Sequence, residues 1–432
     1  MFTSSARKSE RKSKIRAVIQ VCSGNFLEMY DFMIFGYYAS AIGRTFFPSS
    51  SEFGSLMLSL MTFGAGYLMR PLGGIVLGAY IDHHGRRKGL LVTLGLMALG
   101  TLAIACLPGY ATLGLLAPLL VLLARLIQGF SAGVEVGGVS VYLAEISTPG
   151  NKGFYVSWQS ASQQVAVIFA ATVGIMLSSW LPPEQLTAWG WRIPMLIGCA
   201  IIPILFILRQ TLAETEEFLA RSKKPSFREI LRSLAANWSV VILGMMIIMM
   251  TTVTFYVITV YAPTYGRVVL HLADIDTLIV TLLVGFSNFL LLPVGGALSD
   301  RIGRSPVIIA CTALCLLTAY PGLSWLVAAP SFSRLLTVQL WFSLLFGIYN
   351  GAAVVYLTEI IPTQVRTAGF SLAYSLAVGI FGGFTPAICT YLIGVTGNRA
   401  IPGAWMSFAA ACALTAAIVL SLRKPSAPIG AS

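Results

Sequence analysis

The chain has 432 residues, of which 57% are hydrophobic and only 10% charged, against the roughly 25% charged content of a soluble domain. That balance excludes an ordinary water-soluble protein. The formal net charge of +12 would suit a nucleic-acid surface, but the basic residues stand in short linkers between apolar runs, where they set membrane topology, so no nucleic-acid partner is expected.

Twelve apolar runs of transmembrane length follow one another, at residues 17–42, 55–80, 89–107, 113–143, 154–178, 193–208, 237–262, 277–298, 306–327, 335–358, 370–394 and 402–422. None alternates with a period of two, so helices are expected and not a membrane barrel. The first run is longer than a signal-peptide core and ends without a small-residue cleavage site, so it is expected to remain as a helix. The seven cysteines fall in or beside apolar runs without a CxxC pair and read as small buried hydrophobes, not as metal ligands.

These runs divide the chain into a basic tail (1–16), a six-helix bundle (17–209), a charged linker (210–236), a second six-helix bundle (237–422) and a short tail (423–432). In the linker, Glu214, Glu216 and Glu217 precede Arg221, Lys223 and Lys224, a pattern that suits a helix ending near Pro225. Alternate loops share out Lys and Arg unequally: 21 of the 28 lie on the side that holds both termini and the linker. That side is therefore expected to be cytoplasmic.

The two bundles are copies. Gly78-Ala-Tyr-Ile-Asp82-His-His-Gly85-Arg86-Arg87-Lys88 returns half a chain later as Gly296-Ala-Leu-Ser-Asp300-Arg-Ile-Gly303-Arg304. Tyr142-Leu-Ala-Glu145-Ile, with Lys152, returns as Tyr356-Leu-Thr-Glu359-Ile, with Arg366. Equal span number and equal orientation are the mark of parallel repeats about an axis along the membrane normal. The expected fold class is an all-α membrane protein of twelve transmembrane helices in two pseudo-symmetric six-helix bundles.

Charge inside the apolar runs marks the candidate site, because an ionised side chain at a helix centre costs roughly 2.5–3.5 kcal/mol by insertion scales and must face protein or water. In the first span, Asn25, Glu28 and Phe32 share a helical face, with Tyr30 and Asp31 beside it. A carboxylate shielded from water can load and release a proton during a transport cycle; Glu28, Asp31 and Glu135 are the candidates, and a fixed ion pair or interhelical hydrogen bond is the alternative for each. Arg125 shares a face with Gln128 and Glu135 in the fourth span. Its planar guanidinium can grip a substrate carboxylate with two parallel bonds or form an internal pair with Glu135. Arg70 has no charged neighbour in its own helix and needs a partner from elsewhere, either the substrate or Glu28 and Asp31. Arg192, at the outer start of the sixth span, suits a substrate contact or snorkelling to the interface. Asn25, Tyr30, Gln163, Tyr349, Asn350 and Tyr374 are polar groups within apolar runs, suited either to neutral bonds with substrate or to helix packing.

The motif Gly78-x-x-x-Asp82-x-x-Gly85-Arg86-Arg87 resembles the hallmark cytoplasmic loop of the major facilitator superfamily, and Arg125-Leu-Ile-Gln128-Gly129-Phe-Ser-Ala-Gly133 resembles its fourth-helix motif. His83-His84 departs from the loop pattern, which commonly has Arg after the Asp. More narrowly, Gly24-Asn25-Phe-Leu-Glu28-Met-Tyr30-Asp31-Phe32, Arg70-Pro71-Leu-Gly73-Gly74 and Trp191-Arg192-Ile-Pro194 resemble the metabolite and proton symporter group. Within that group the whole chain is most similar to the citrate and proton symporters, with tricarballylate transporters close by. The resemblance implies a monomeric symporter of a bacterial inner membrane. It would take up citrate or a similar small carboxylate by alternating access, with a proton as coupling ion and no other cofactor. It also implies that Asp82, Arg86 and Glu145 in one half, and Asp300, Arg304 and Glu359 in the other, act as cytoplasmic gates.

No P-loop is present for ATP. An enzyme would need a nucleophile with its base or a metal cluster, and the His residues are only the loop pair His83-His84 and His271; neither catalytic residues nor a metal are expected. A transporter-like receptor would be expected to carry a signalling domain outside the spans.

Overall fold

The computed structural model describes residue 18 and residues 24–84, 86–133, 135–210, 235–361 and 366–422. The basic tail, nearly all of the linker and the C-terminal tail lie outside the described residues. So do the side chains of Asp82, Arg86 and Glu135.

The described chain is helical throughout. We number its spans α1 (Gly24–Tyr37, continued by Ala39–Phe46), α2 (Glu52–Leu68, continued by Arg70–His84), α3 (Arg86–Cys106), α4 (Leu116–Ala132, continued by Glu135–Glu145), α5 (Lys152–Trp180) and α6 (Arg192–Gln210) in the first half. The second half has α7 (Trp238–Phe255), α8 (Asp274–Ile302), α9 (Arg304–Ala328), α10 (Phe332–Ile360), α11 (Arg366–Ala377, continued by Thr385–Thr396) and α12 (Ile401–Leu422). Among the described residues, eight helices are long and apolar enough to cross a membrane, and α6 joined to the bent turn before it makes a ninth. Among the described residues, shorter apolar stretches lie at Leu91–Cys106 in α3 and Leu116–Ala132 in α4. In α1 the described helix begins at Gly24.

Several helices outrun their apolar cores. α8 begins at Asp274 and ends at Ile302, beyond the expected 277–298, because its charged end finds polar partners and needs no hydrocarbon. It turns into α9 at Gly303, whose φ of +95° is backbone that a side chain would strain.

Small residues set how closely the helices approach. A Cβ on Gly129 of α4 would strike the Gly66 carbonyl of α2, one on Gly133 would strike the Arg70 carbonyl, and one on Gly73 the Phe130 carbonyl. α2 and α4 therefore cross backbone to backbone, which brings Arg70 and Arg125 into one layer. Between the halves, α5 and α8 run antiparallel along their whole length. Gly153 meets Gly296 at one end, Gln164 accepts from Asn288 Nδ2 at 3.3 Å midway, and Ser178 donates to Asp274 at 3.3 Å at the other. α1 meets the chain after α7 through Thr264, which donates to the Gly36 carbonyl at 3.1 Å.

Candidate functional site

Charged side chains are buried where α1, α2 and α4 meet. Arg125 is wholly buried at 0% exposure and Arg70 is 4% exposed. Each has a carboxylate partner on α1. Arg125 Nη1 donates to Asp31 Oδ2 at 3.0 Å and to Gln128 Oε1 at 2.8 Å, while Arg70 Nη2 pairs with Glu28 Oε1. Glu28 and Asp31 sit on adjacent turns of one helix, so α1 holds both anions and the two neighbouring helices bring the cations.

The Asp31 end is a closed network. The Thr101 hydroxyl of α3 donates to Asp31 Oδ1 at 2.8 Å and accepts from Gln128 Nε2 at 3.0 Å. Carboxylate, guanidinium, amide and hydroxyl thus hold one another in register, as buried polar groups require.

Aromatic rings form the remaining wall. Phe32 serves both cations, with Arg125 Cζ 4.8 Å and Arg70 Cζ 5.3 Å from its centroid. Arg125 also lies 4.4 Å from the Phe35 ring and 5.1 Å from Phe63, and Arg70 lies 4.7 Å from Tyr67. The second half contributes Tyr256, whose ring meets Tyr67 edge to face at 5.6 Å, and Tyr374, close to Arg70 and Glu28. Each cation–ring contact is worth about 0.5–2 kcal/mol, so the rings stabilise guanidiniums whose hydrogen-bonding capacity is only partly used. Arg125 Nε and Nη2, and Arg70 Nε, have no hydrogen-bond partner. An edge of Arg125 with two N–H donors therefore remains free for a planar anion.

Several residues expected at the site are engaged elsewhere. Tyr30 donates its hydroxyl to the Pro194 carbonyl at 2.8 Å, and its ring packs on Phe169. Tyr349 donates to the Ile247 carbonyl at 2.7 Å, tying α10 to α7. Arg192 lies over the Trp191 ring, with Cζ at 4.3 Å, and donates to the Leu107 carbonyl at 3.1 Å. Gln163 is buried on α5. Asn25 is buried with neither amide atom hydrogen-bonded, and Asn350 is buried with Oδ1 unbonded. The side chains of Thr101, Phe35, Phe63 and Tyr67 join the site although no charge marks them in sequence. For the last two a signal existed: Phe63, Tyr67 and Arg70 follow helical i, i+4, i+7 spacing.

At the end of the bundle where α8 turns into α9, Asp300 does more than pair with its neighbour. Its two oxygens accept from the Gly153 and Phe154 N–H groups at 2.8 and 2.9 Å, capping the first turn of α5 in the other half. Arg304 stands 2.7 Å from Asp300 and 3.4 Å from Glu359, and Lys152 stands 3.8 Å from Glu359. This cluster clasps the halves together. Glu145 is exposed at the end of α4.

Residues 17–423 match the family model described as sugar (and other) transporter. The chain is 59% identical to a citrate-proton symporter of Salmonella typhi, over 96% of both chains. It is 60% identical to a citrate-proton symporter of Klebsiella pneumoniae, over 95% of this chain and 93% of the relative. Among solved structures, the crystal structure of a D-xylose-proton symporter superposes with a TM-score of 0.75 at 19% identity, over 95% of this chain and 98% of the other; that likeness shows the fold alone. Twelve helical spans, duplicated halves and matches over nearly the whole length agree, and the chain belongs to the sugar (and other) transporter family of the major facilitator superfamily.

Proposed function

We propose that the protein is a transporter and not an enzyme: a monomeric symporter that couples inward proton movement to uptake of citrate or a similar tricarboxylate by alternating access. Its place is a bacterial inner membrane, with both termini and the linker cytoplasmic and no cofactor beyond the coupling proton. The observation that carries this reading is the state of Arg125. It is wholly buried, paired with Asp31 through Nη1 and left with two unbonded donors, in a chain 59–60% identical to two citrate-proton symporters.

The coupling follows from charge. With Asp31 and Glu28 ionised, each arginine is already neutralised, and a polyanion arriving there would bring excess negative charge into a dry site. A proton on Asp31 removes that anion, leaving Arg125 held by its rings and by Gln128 and free to bind a substrate carboxylate along its open edge. Arg70 and Glu28 repeat the device one turn away, so the site can offer two cations to a substrate with several carboxylates. Release of substrate and proton lets the internal pairs reform. In this scheme Asp300, Arg304 and Glu359, with Asp82, Arg86 and Glu145 in the other half, hold the cytoplasmic side closed.

The test is uptake of labelled citrate into proteoliposomes without Na⁺, with and without an imposed inward proton gradient. Accumulation above equilibrium only with the gradient is expected, and competition by tricarballylate ranks the two acids. Absence of citrate uptake under any gradient would discard this substrate and direct the search to other carboxylates and to betaines.

A further inference from the structure

A second site lies far along the fold from the arginines. Pro321 stands inside α9 and is followed by Gly322. A proline in a helix interior removes one backbone bond and wedges the turn before it, and the glycine adds no side chain to fill the gap. There an open-sided groove of about 370 Å³ runs between α9 and α10, lined by Leu317, Pro321, Gly322, Trp325, Trp341 and Phe342 among others.

The floor of the groove is apolar and faces outward from the bundle: Leu317 is 70% exposed and Trp325 is 46% exposed. The indole N–H of Trp341 is already used, donating to Thr318 at 2.9 Å. The floor therefore asks for hydrocarbon. The rim asks for something else. Arg334, in the first turn of α10, lies over the Trp325 ring with Cζ at 4.6 Å and donates from Nη1 to the Trp325 carbonyl at 2.8 Å. Among the described residues no carboxylate pairs with it. A guanidinium carries five N–H donors, so several remain for an anion. From Arg334 to Trp341 is about 10 Å along α10 at 1.5 Å per residue, which places a cation at one end of an apolar trough.

We propose that this groove is a binding site for an anionic phospholipid, with the headgroup phosphate on Arg334 and an acyl chain along Leu317, Gly322 and Trp341. The chemistry selects this occupant because a spanning helix pair is bathed in lipid, and only an amphiphile with its negative charge at one end matches both rim and floor. Acyl chains are as apolar outside the groove as inside it, so the floor holds the chain by shape and Arg334 supplies the preference among headgroups. In the orientation given above, the site opens to the outer leaflet.

The test uses the full-length protein in micelles doped with equal phosphatidylglycerol and phosphatidylcholine, with bound lipid counted by native mass spectrometry. Wild type is expected to retain phosphatidylglycerol in roughly fivefold preference, the ratio that one basic residue near a membrane surface supplies. Arg334→Gln is expected to bring the two lipids level. Gly322→Leu is expected to lower retention of both, since Gly322 lines the groove and a Cβ there would stand in ordinary contact, 3.5 Å from the Phe342 ring that lines it too. Equal retention of the two lipids by wild type would overturn the proposal, as would an undiminished preference in Arg334→Gln. Cross-linking of two copies through Leu317→Cys would assign the groove to a second copy and overturn it too. The two substitutions act on different elements, so one that fails to fold leaves the other decisive.

Discussion

In the proposed function Arg125 concentrates the chemistry, because its two sides are unlike. One nitrogen is committed to Asp31 and Gln128, and the other edge is unbonded in a site walled by Phe32, Phe35 and Phe63. Lysine would keep the charge but present a single point donor. Arg125→Lys is therefore expected to raise KM for citrate by about tenfold or more, since a charged hydrogen bond is worth about 1.5–3 kcal/mol; KM from initial uptake rates checks this, and an unchanged value would remove Arg125 from the substrate contacts. Which residues would carry charge into the membrane was legible in sequence, since Glu28, Asp31, Arg70 and Arg125 interrupt apolar runs. Their pairing was not. Asp31 and Arg125 lie 94 positions apart, and nothing in either run says that α1 and α4 are neighbours. Thr101 was invisible for a simpler reason: a lone hydroxyl in a helix usually bonds its own backbone, and only the approach of Asp31 gives it another task.

At the scale of elements, the helix pairs between the halves decide what can move. α5 and α8 touch from Gly153 and Gly296 to Ser178 and Asp274, so opening either end must shear this pair or tilt it. Asp300 secures one end by capping α5 with its carboxylate, and losing a charged cap costs about 1–2 kcal/mol, roughly 5–30-fold in an equilibrium. Asp300→Ala should speed labelling of a Ser157→Cys reporter by membrane-impermeant maleimide at that end, by a factor within that range. An unchanged labelling rate would show that the clasp does not hold the end closed. The repeated charge motif pointed to Asp300, Arg304 and Glu359 as a set, yet the bonds to Gly153 and Phe154 cross between copies, and a repeat compared only with itself cannot reveal them. The ends of α8 were legible to within about a turn: charge stopped the expected helix at 298, whereas it runs on to Ile302 because Asp300 finds donors there.

For the whole molecule, duplication is the feature that sequence displays most plainly and the site obeys least. Both halves carry the charged hairpin between their second and third spans, and the second copy turns at Gly303. The buried ion pairs described here nonetheless belong to α1, α2 and α4 of the first half, while the second half adds the Tyr256 and Tyr374 rings. Such asymmetry suits a carrier in which one bundle holds the charge and the other closes over it. The claim at the centre of this account is that a proton on Asp31 and a substrate carboxylate on Arg125 succeed one another at a single guanidinium. Asp31→Asn mimics the protonated state permanently, so the measurement that bears on it most directly compares two assays of that variant in proteoliposomes: citrate counterflow and gradient-driven citrate accumulation. The account predicts that counterflow persists, which also shows that the variant is folded, while accumulation above equilibrium is lost. Accumulation at the wild-type level would contradict it and place the coupling proton elsewhere.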